Sequence, residues 1–244
     1  MSKAPLRIIA RLDIKNEFVI KGINLEGLRK IGNPIKIAQN YYNQGIDEII
    51  LIDSVASLYE RNNLFNIIEK ITESIFIPIT LGGGIRSIKD IDRALKAGAD
   101  KVAINSYATE NPEFIRKAVN IFGSSTIMSY IEAKNISDGN WEIYKNYGRE
   151  KTGYNLLDWI KKVQDLGCGE ILLTSIDHEG TQSGFDLNLI ESIYKDINVP
   201  LIISGGCGSI EHIKEIKIKY PESSVGLASI LHYNKTDIKK LKDI

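Results

Sequence analysis

Cysteine is scarce: Cys168 and Cys207 are the only two in 244 residues, each beside a glycine. Without a secretory context that pair reads as reduced, small packing residues rather than a bridge. Histidine is equally thin, with His178, His212 and His232 far apart and no zinc-type spacing, so neither a metal nor another cofactor is expected. His178 follows a strand and is a candidate substrate contact, whereas His212 and His232 are expected at the surface or partly packed. No Ser-His-acid order and no activated thiol stands out. Net charge is absent too, Lys plus Arg and Asp plus Glu numbering 31 each, so no global field draws the chain to nucleic acid or an anionic membrane. Long apolar runs are missing: nothing approaches a membrane span, and the opening MSKAPLRIIARLDIK lacks the apolar core of a signal peptide. A cytoplasmic protein is expected.

What the chain does have is itself, twice. TLGGGIRSI at Thr80 to Ile88 returns as ISGGCGSI at Ile203 to Ile210, half of the 244 residues further on. Asp47 to Leu51 overlays Gly169 to Leu173, Val102 to Ser106 overlays Val225 to Ser229, and Ile8 to Lys15 overlays Ile127 to Lys134. The last pair places Asp13 and Glu132 at matching positions.

Short apolar runs alternate with segments of helical period, the pattern of repeated βα units. Strands are expected at Leu6 to Ile14, Glu48 to Ile52, Ile77 to Leu81, Lys101 to Ile104, Thr126 to Ile131, Glu170 to Thr174, Leu201 to Ser204 and Ser224 to Leu227. Helices fall between them, among them Pro34 to Gln44, Asn63 to Ser74, Ile88 to Ala97, Pro112 to Phe122, Leu156 to Leu166, Leu187 to Lys195 and Ile210 to Lys219. Eight such units with internal two-fold repetition predict an α/β fold, one (β/α)8 barrel domain over residues 1–244 with half-barrels at about 1–122 and 123–244. An open doubly wound sheet has similar strand patterns and remains the alternative. Ile14 to Asn33 and Ala133 to Gly153 are too long for plain connections and read as lids or extra hairpins, the second a hairpin because Trp141, Ile143 and Tyr147 alternate.

Barrel active sites lie at the C-terminal strand ends. Gly205, Gly206, Ala228 and Ser229 follow the seventh and eighth strands, where phosphate commonly binds, and Gly83, Gly84, Asn105 and Ser106 are their counterparts in the first half. Two such grips suit a ligand with a phosphate at each end; tight turns or close helix packing are the other explanation for the glycines. Asp13 and Glu132 end the first and fifth strands, opposite each other in an eight-strand ring, which suits a base and an acid acting from two sides. Lys21 in the first long loop can reach over the site, and Asp53, Thr174 and Ser204 are expected to supply hydrogen bonds or support.

RIIARLDIK (Arg7 to Lys15), Lys21-Gly22, LID (Leu51 to Asp53), LGGGI (Leu81 to Ile85), KVAIN (Lys101 to Asn105), ILLTSID (Ile171 to Asp177) and SGG (Ser204 to Gly206) together resemble the cyclase subunit of imidazole glycerol phosphate synthase. The resemblance is collinear from about Arg7 to His232. It implies a bis-phosphate formimino-aminoimidazole carboxamide ribonucleotide as substrate, attacked by ammonia to give imidazole glycerol phosphate and aminoimidazole carboxamide ribotide. It implies Asp13 as base, Glu132 as acid, Glu179 and Gly180 in the substrate loop, and a glutaminase subunit docked on the N-terminal face of the barrel. Arg7, Glu48, Lys101 and Glu170 match the family's charged ring through which ammonia enters. Three positions depart from the pattern: Glu132 stands for Asp, Glu179 stands where Asp-Gly-Thr is usual, and Arg11 stands for Cys, putting a cation on the strand face of Asp13. These departures keep open a paralogue that serves as an ammonia conduit with a glutaminase and an amidotransferase in acetamidino-sugar synthesis. A related phosphosugar isomerase barrel would lack the rim charges.

Overall fold

A computed structural model describes residues 6–56 and 64–244. β1 (Ile8–Lys15) runs into a hairpin, β2 (Phe18–Ile23) and β3 (Glu26–Gly32), followed by α1 (Pro34–Asn43) and β4 (Glu48–Asp53). α2 (Phe65–Thr72), β5 (Ile79–Gly82), α3 (Ile88–Lys96), β6 (Lys101–Ile104), the short α4 (Ser106–Glu110) and α5 (Glu113–Phe122) complete the first half. The second half holds β7 (Ile127–Ser137), β8 (Asn140–Lys145), β9 (Glu150–Asn155), α6 (Leu156–Asp165), β10 (Glu170–Ser175), α7 (Leu187–Ile193) and β11 (Leu201–Ser204). α8 (Ile210–Lys219), β12 (Ser224–Leu227), α9 (Ser229–His232) and α10 (Ile238–Lys242) close it. Asn63, the first residue expected in α2, lies outside the described residues.

The ring runs β1, β4, β5, β6, β7, β10, β11, β12 and back to β1, every neighbour parallel. Pairing of Ile8 to Ala10 with Val225 to Leu227 is the closing seam. An open sheet has no such seam, so the fold is a (β/α)8 barrel. Closure removes both sheet edges, and parallel strands covered on both faces read as near-continuous apolar runs.

Strand alternation decides which side chains enter the barrel. Ile8, Ala10, Leu12 and Ile14 of β1 face the helices in the large outer core. Ile9 faces inward with Ile50, Ile52, Ala103, Met128, Tyr130, Leu172 and Ile202. Period two therefore sends Arg11 and Asp13 inward beside Ile9, and Glu132 inward beside Met128 and Tyr130. Outside, Asn33 caps α1 through bonds from Ile35 and Lys36 N–H, with Pro34 preset for the first helical position. α3 opens on a reciprocal box in which Ser87 and Asp90 cap each other's backbone.

The two long connections are both antiparallel hairpins, and their placement repeats the internal symmetry. β2 pairs with the end of β1 (Asp13 opposite Ile20), and β8 pairs with β7 (Glu132 opposite Tyr144). Each acid thus sits where a barrel strand leaves the ring for its hairpin. Among the described residues no helix is long and apolar enough to cross a membrane. Ser87→Ala removes one arm of the α3 box and is expected to lower stability by about 1 kcal/mol and Tm by roughly 2–4 °C; thermal melting followed by circular dichroism checks it.

Candidate active site

Two layers of charge lie inside the barrel, one at each end. At the N-terminal end, Glu48 opens β4, Lys101 opens β6, Glu170 opens β10, and Arg7 precedes β1. Arg7 pairs with Glu48 at 3.2 Å and also with Glu170, while Lys101 reaches Glu48 at 3.0 Å and Glu170 at 2.7 Å. The four close into a ring of alternating sign. Thr80 Oγ1 donates to Glu48 at 3.0 Å, and Arg7 Nε donates to Ser224 at 3.0 Å. Glu48 and Glu170 are buried, so the ring spares two carboxylates the cost of unpaired burial.

At the C-terminal end Asp13 and Glu132 are almost fully buried on opposite walls. Asp13 Oδ1 accepts from Arg11 Nε at 2.8 Å and Oδ2 from the Tyr147 hydroxyl at 3.1 Å. Glu132 accepts from the Tyr130 hydroxyl at 2.7 Å on Oε1, and from Asn105 Nδ2 and Gly148 N–H at 3.0 Å each on Oε2. Burial opposes ionisation of Asp13, but Arg11 and Lys21 outweigh it and hold its carboxyl below the usual range. For Glu132 burial wins over the Tyr130 hydrogen bond and the Arg11 charge, so its carboxyl is pushed up. Two carboxylates in one site are displaced in opposite directions.

The remaining expected residues divide into three groups. Asp53, Gly83, Gly84, Asn105 and Ser106 line one cavity of about 40 Å³ together with Arg86, Glu132, Tyr130 and Tyr147. Gly83 has a φ of 92°, and a Cβ there would lie 2.4 Å from the Asp53 carbonyl oxygen, so only glycine permits this approach. Asp53 also accepts from the N–H groups of Val55 and Ala56 at 3.0 and 2.9 Å, which makes it the cap of the following turn.

In the second group, Thr174 and Ser204 accept from Arg11 Nη1 at 2.8 and 3.5 Å, and Glu179 pairs with Lys21 and lies 3.8 Å from Arg11. Lys21 is thus a buried member of β2, and burial lowers its ammonium to about 8 against the pull of Asp13. Gly180 lets its loop pack on Gly22, whose carbonyl oxygen would lie 2.0 Å from a Cβ.

The third group, Gly205, Gly206, Ala228 and Ser229, is not among the residues lining the cavity. Gly206 packs on Gly184, whose N–H donates to the Gly206 carbonyl at 2.9 Å, and the Ser229 hydroxyl is buried without a hydrogen-bond partner.

Two participants were absent from the expected set. Tyr130 is legible in retrospect because it lies two residues before Glu132 on an inward face. Tyr147 is not, since only the folding of the β8–β9 hairpin carries it to Asp13. His178 bonds Gly184 O through Nδ1 at 2.8 Å. Cys168 and Cys207 are free and buried, and burial pushes each thiol up to about 12.

With this geometry in place, the sequence model of the histidine biosynthesis protein family matches residues 7–237. The chain belongs to that family. A Legionella pneumophila protein named imidazole glycerol phosphate synthase subunit HisF is 52% identical over 206 residues, covering 84% of this chain and 97% of the relative. Proteins of the same name from Lactococcus lactis subsp. cremoris (strain SK11) and Bacillus cereus (strain Q1) are 47% and 44% identical, each over 97% of this chain and over 92% and 94% of theirs.

His232 corrects the expectation of a surface or partly packed side chain. It is buried on α9, its Nδ1 2.8 Å from the Tyr41 hydroxyl, because the short helix packs it against the buried face of α1 rather than turning it outward. Burial, assisted by the Lys21 charge, lowers it to about 4 from 6.5. The unfolded chain therefore takes up the proton first as pH falls, and stability present above pH 6.5 is lost between 6.5 and about 4, by up to roughly 3 kcal/mol from this one group. Urea unfolding across that window should show a shallower pH slope for His232→Gln than for the parent chain, and nitrogen-15 NMR should place the parent imidazole near 4.

Proposed function

We propose that the chain works as the cyclase subunit of an imidazole glycerol phosphate synthase in histidine biosynthesis, with Asp13 as general base and Glu132 as general acid. The observation that carries the assignment of roles is the opposite displacement of the two carboxyls. Environments that push paired titratable groups apart assign acid and base. Asp13, ionised and bonded by Arg11 and Tyr147, is the group able to accept a proton, while Glu132 holds one closer to neutral pH and is the group able to donate it.

The reaction requires both acts. Ammonia must lose protons as its nitrogen joins the bis-phosphate ribonucleotide, the ketone oxygen of the ribulosyl arm leaves as water, and the departing aminoimidazole carboxamide ribotide must receive a proton. Gly83, Gly84, Asn105 and Ser106 would hold one phosphate beside Glu132, and Gly205, Gly206, Ala228 and Ser229 the other. The longer reach of Glu132, relative to the aspartate usual at its position, is met by three donors from three elements that fix its carboxylate.

Ammonia would arrive from a glutaminase subunit on the N-terminal face through the ring of Arg7, Glu48, Lys101 and Glu170. Near that face stand Phe76, in the turn before β5, and Ile121 and Ile218, in the last turns of α5 and α8, all strongly exposed. Exposed aromatic and aliphatic side chains around a charged centre are the surface expected of a partner interface. The relatives' shared name favours this reading over the acetamidino-sugar conduit.

With ammonium salt and the ribonucleotide, the chain should release imidazole glycerol phosphate, and Asp13→Asn and Glu132→Gln should each reduce turnover by about 10²-fold or more. Near-parental turnover in either variant would remove that residue from the mechanism. Glu48→Ala, which breaks the ring, should lower the ratio of glutamine-driven to ammonium-driven turnover by roughly tenfold in the complex, read by parallel assays of glutamate and product; an unchanged ratio would count against ring passage.

A further inference from the structure

Arg11 is the largest fully buried side chain in the barrel interior, and every nitrogen of its guanidinium is engaged. Nε donates to Asp13 Oδ1 at 2.8 Å, Nη1 to Thr174 Oγ1 on β10 at 2.8 Å and Ser204 Oγ on β11 at 3.5 Å, and Nη2 to the Tyr130 hydroxyl on β7 at 2.8 Å. β1 and β7 stand opposite in the ring, so the side chain crosses the barrel. Tyr130 passes the connection on, its hydroxyl donating to Glu132 Oε1 at 2.7 Å. Asp13, Arg11, Tyr130 and Glu132 thereby form one continuous hydrogen-bonded chain from carboxylate to carboxylate.

Pairing with Asp13 accounts for the charge but not for the reach across the barrel to Tyr130. A buried ion pair is commonly matched or bettered by an apolar group of the same volume, and the neighbouring interior layer is filled by Ile9, Ile50, Met128, Leu172 and Ile202. What an aliphatic side chain cannot do is fix the direction of two carboxylates at once. The planar guanidinium offers a rigid fork of donors, which the point charge of a lysine does not. Tyr130 accepts from the cation and donates to Glu132, so the polarity of each bond strengthens the next.

We propose that Arg11 is a positioning residue for the acid–base pair, joining Asp13 to Glu132 through Tyr130 and setting the orientation of both. The proposal rests on the acid–base reading above. Arg11 need not touch substrate; it acts through the two carboxylates. It also makes the working range of Asp13 depend on a charge two residues away. Asp13 is faced by Arg11 from its own strand, Lys21 from β2, Tyr130 and Glu132 from β7, Tyr147 from the β8–β9 turn and His232 from α9, while Glu179, from the loop after β10, stands behind Arg11 and Lys21. Among these the Arg11 charge is the strongest that keeps Asp13 ionised.

The test measures kcat and KM for the ribonucleotide against pH, with rates expressed per free ammonia, for Arg11→Ala, Arg11→Lys, Tyr130→Phe and Arg11→Ala/Tyr130→Phe. Arg11→Ala should lower kcat tenfold or more, leave KM within about threefold and move the acid limb to higher pH, since misaligned catalytic groups lose rate steeply. Arg11→Lys should return the acid limb toward the parent position without restoring kcat, separating charge from geometry. Tyr130→Phe should lower kcat as well, and the double variant should lose less than the product of the two singles. Parental or faster turnover in Arg11→Ala, an unmoved acid limb, or full rescue by lysine would overturn the proposal. If Arg11→Ala fails to fold, Arg11→Lys and Tyr130→Phe still decide it, parental kcat in both overturning it. Asp13→Asn in the same assay separates the two claims: activity there sinks the acid–base reading, whereas an inactive Asp13→Asn beside a parental Arg11→Ala sinks only the role of Arg11.

Discussion

Charge enclosed in a closed barrel must be matched by charge, and this constraint organises the molecule from end to end. Closing eight parallel strands leaves no edge and little water inside, so each inward ionisable group either finds a partner or is neutralised. At one end Arg7, Glu48, Lys101 and Glu170 answer one another in a ring. At the other, Asp13 is answered by Arg11, and Glu179 by Lys21. Between them lies the apolar layer of Ile9, Ile50, Met128, Leu172 and Ile202, which separates two polar layers that would otherwise merge.

The same constraint produces the chemical asymmetry of a symmetric scaffold. Asp13 and Glu132 occupy equivalent positions, each where a barrel strand passes into its hairpin. Asp13 has a guanidinium against it and stays charged; Glu132 has a phenol, an amide and a backbone N–H and leans toward its protonated form. The half-barrels supply matched positions, and Arg11, lying on one strand only, makes the matched positions unequal.

The hairpins that follow the first strand of each half serve the site rather than the fold. β2 brings Lys21 under the surface to Glu179, and the β8–β9 turn brings Tyr147 to Asp13 and Gly148 to Glu132. Tyr147 and Gly148 hold positive φ, 60° and 71°, so the turn that delivers these contacts is itself held in a backbone region that a tyrosine adopts only under constraint.

Much of this was written in the order of the residues. The eight strands, the helices between them and the half-chain repeat follow from hydrophobic period and Gly punctuation, which are local properties. Inward direction of Arg11, Asp13 and Glu132 follows from period two once the strands are placed, and Arg11 was visible as a cation on the face of Asp13. The structure alone decided who meets whom. Tyr147 is far from Asp13 in the chain and reaches it through hairpin geometry that no spacing encodes. His232, expected at the surface or partly packed, is buried against Tyr41 by the packing of α9. Arg11 read as a disturbance of Asp13; only the closed ring, which sets β7 across from β1, shows that it links the two acids. Sequence determines which face a side chain takes, because that is a property of one strand. Closure determines what stands on the opposite wall, because that is a property of all eight.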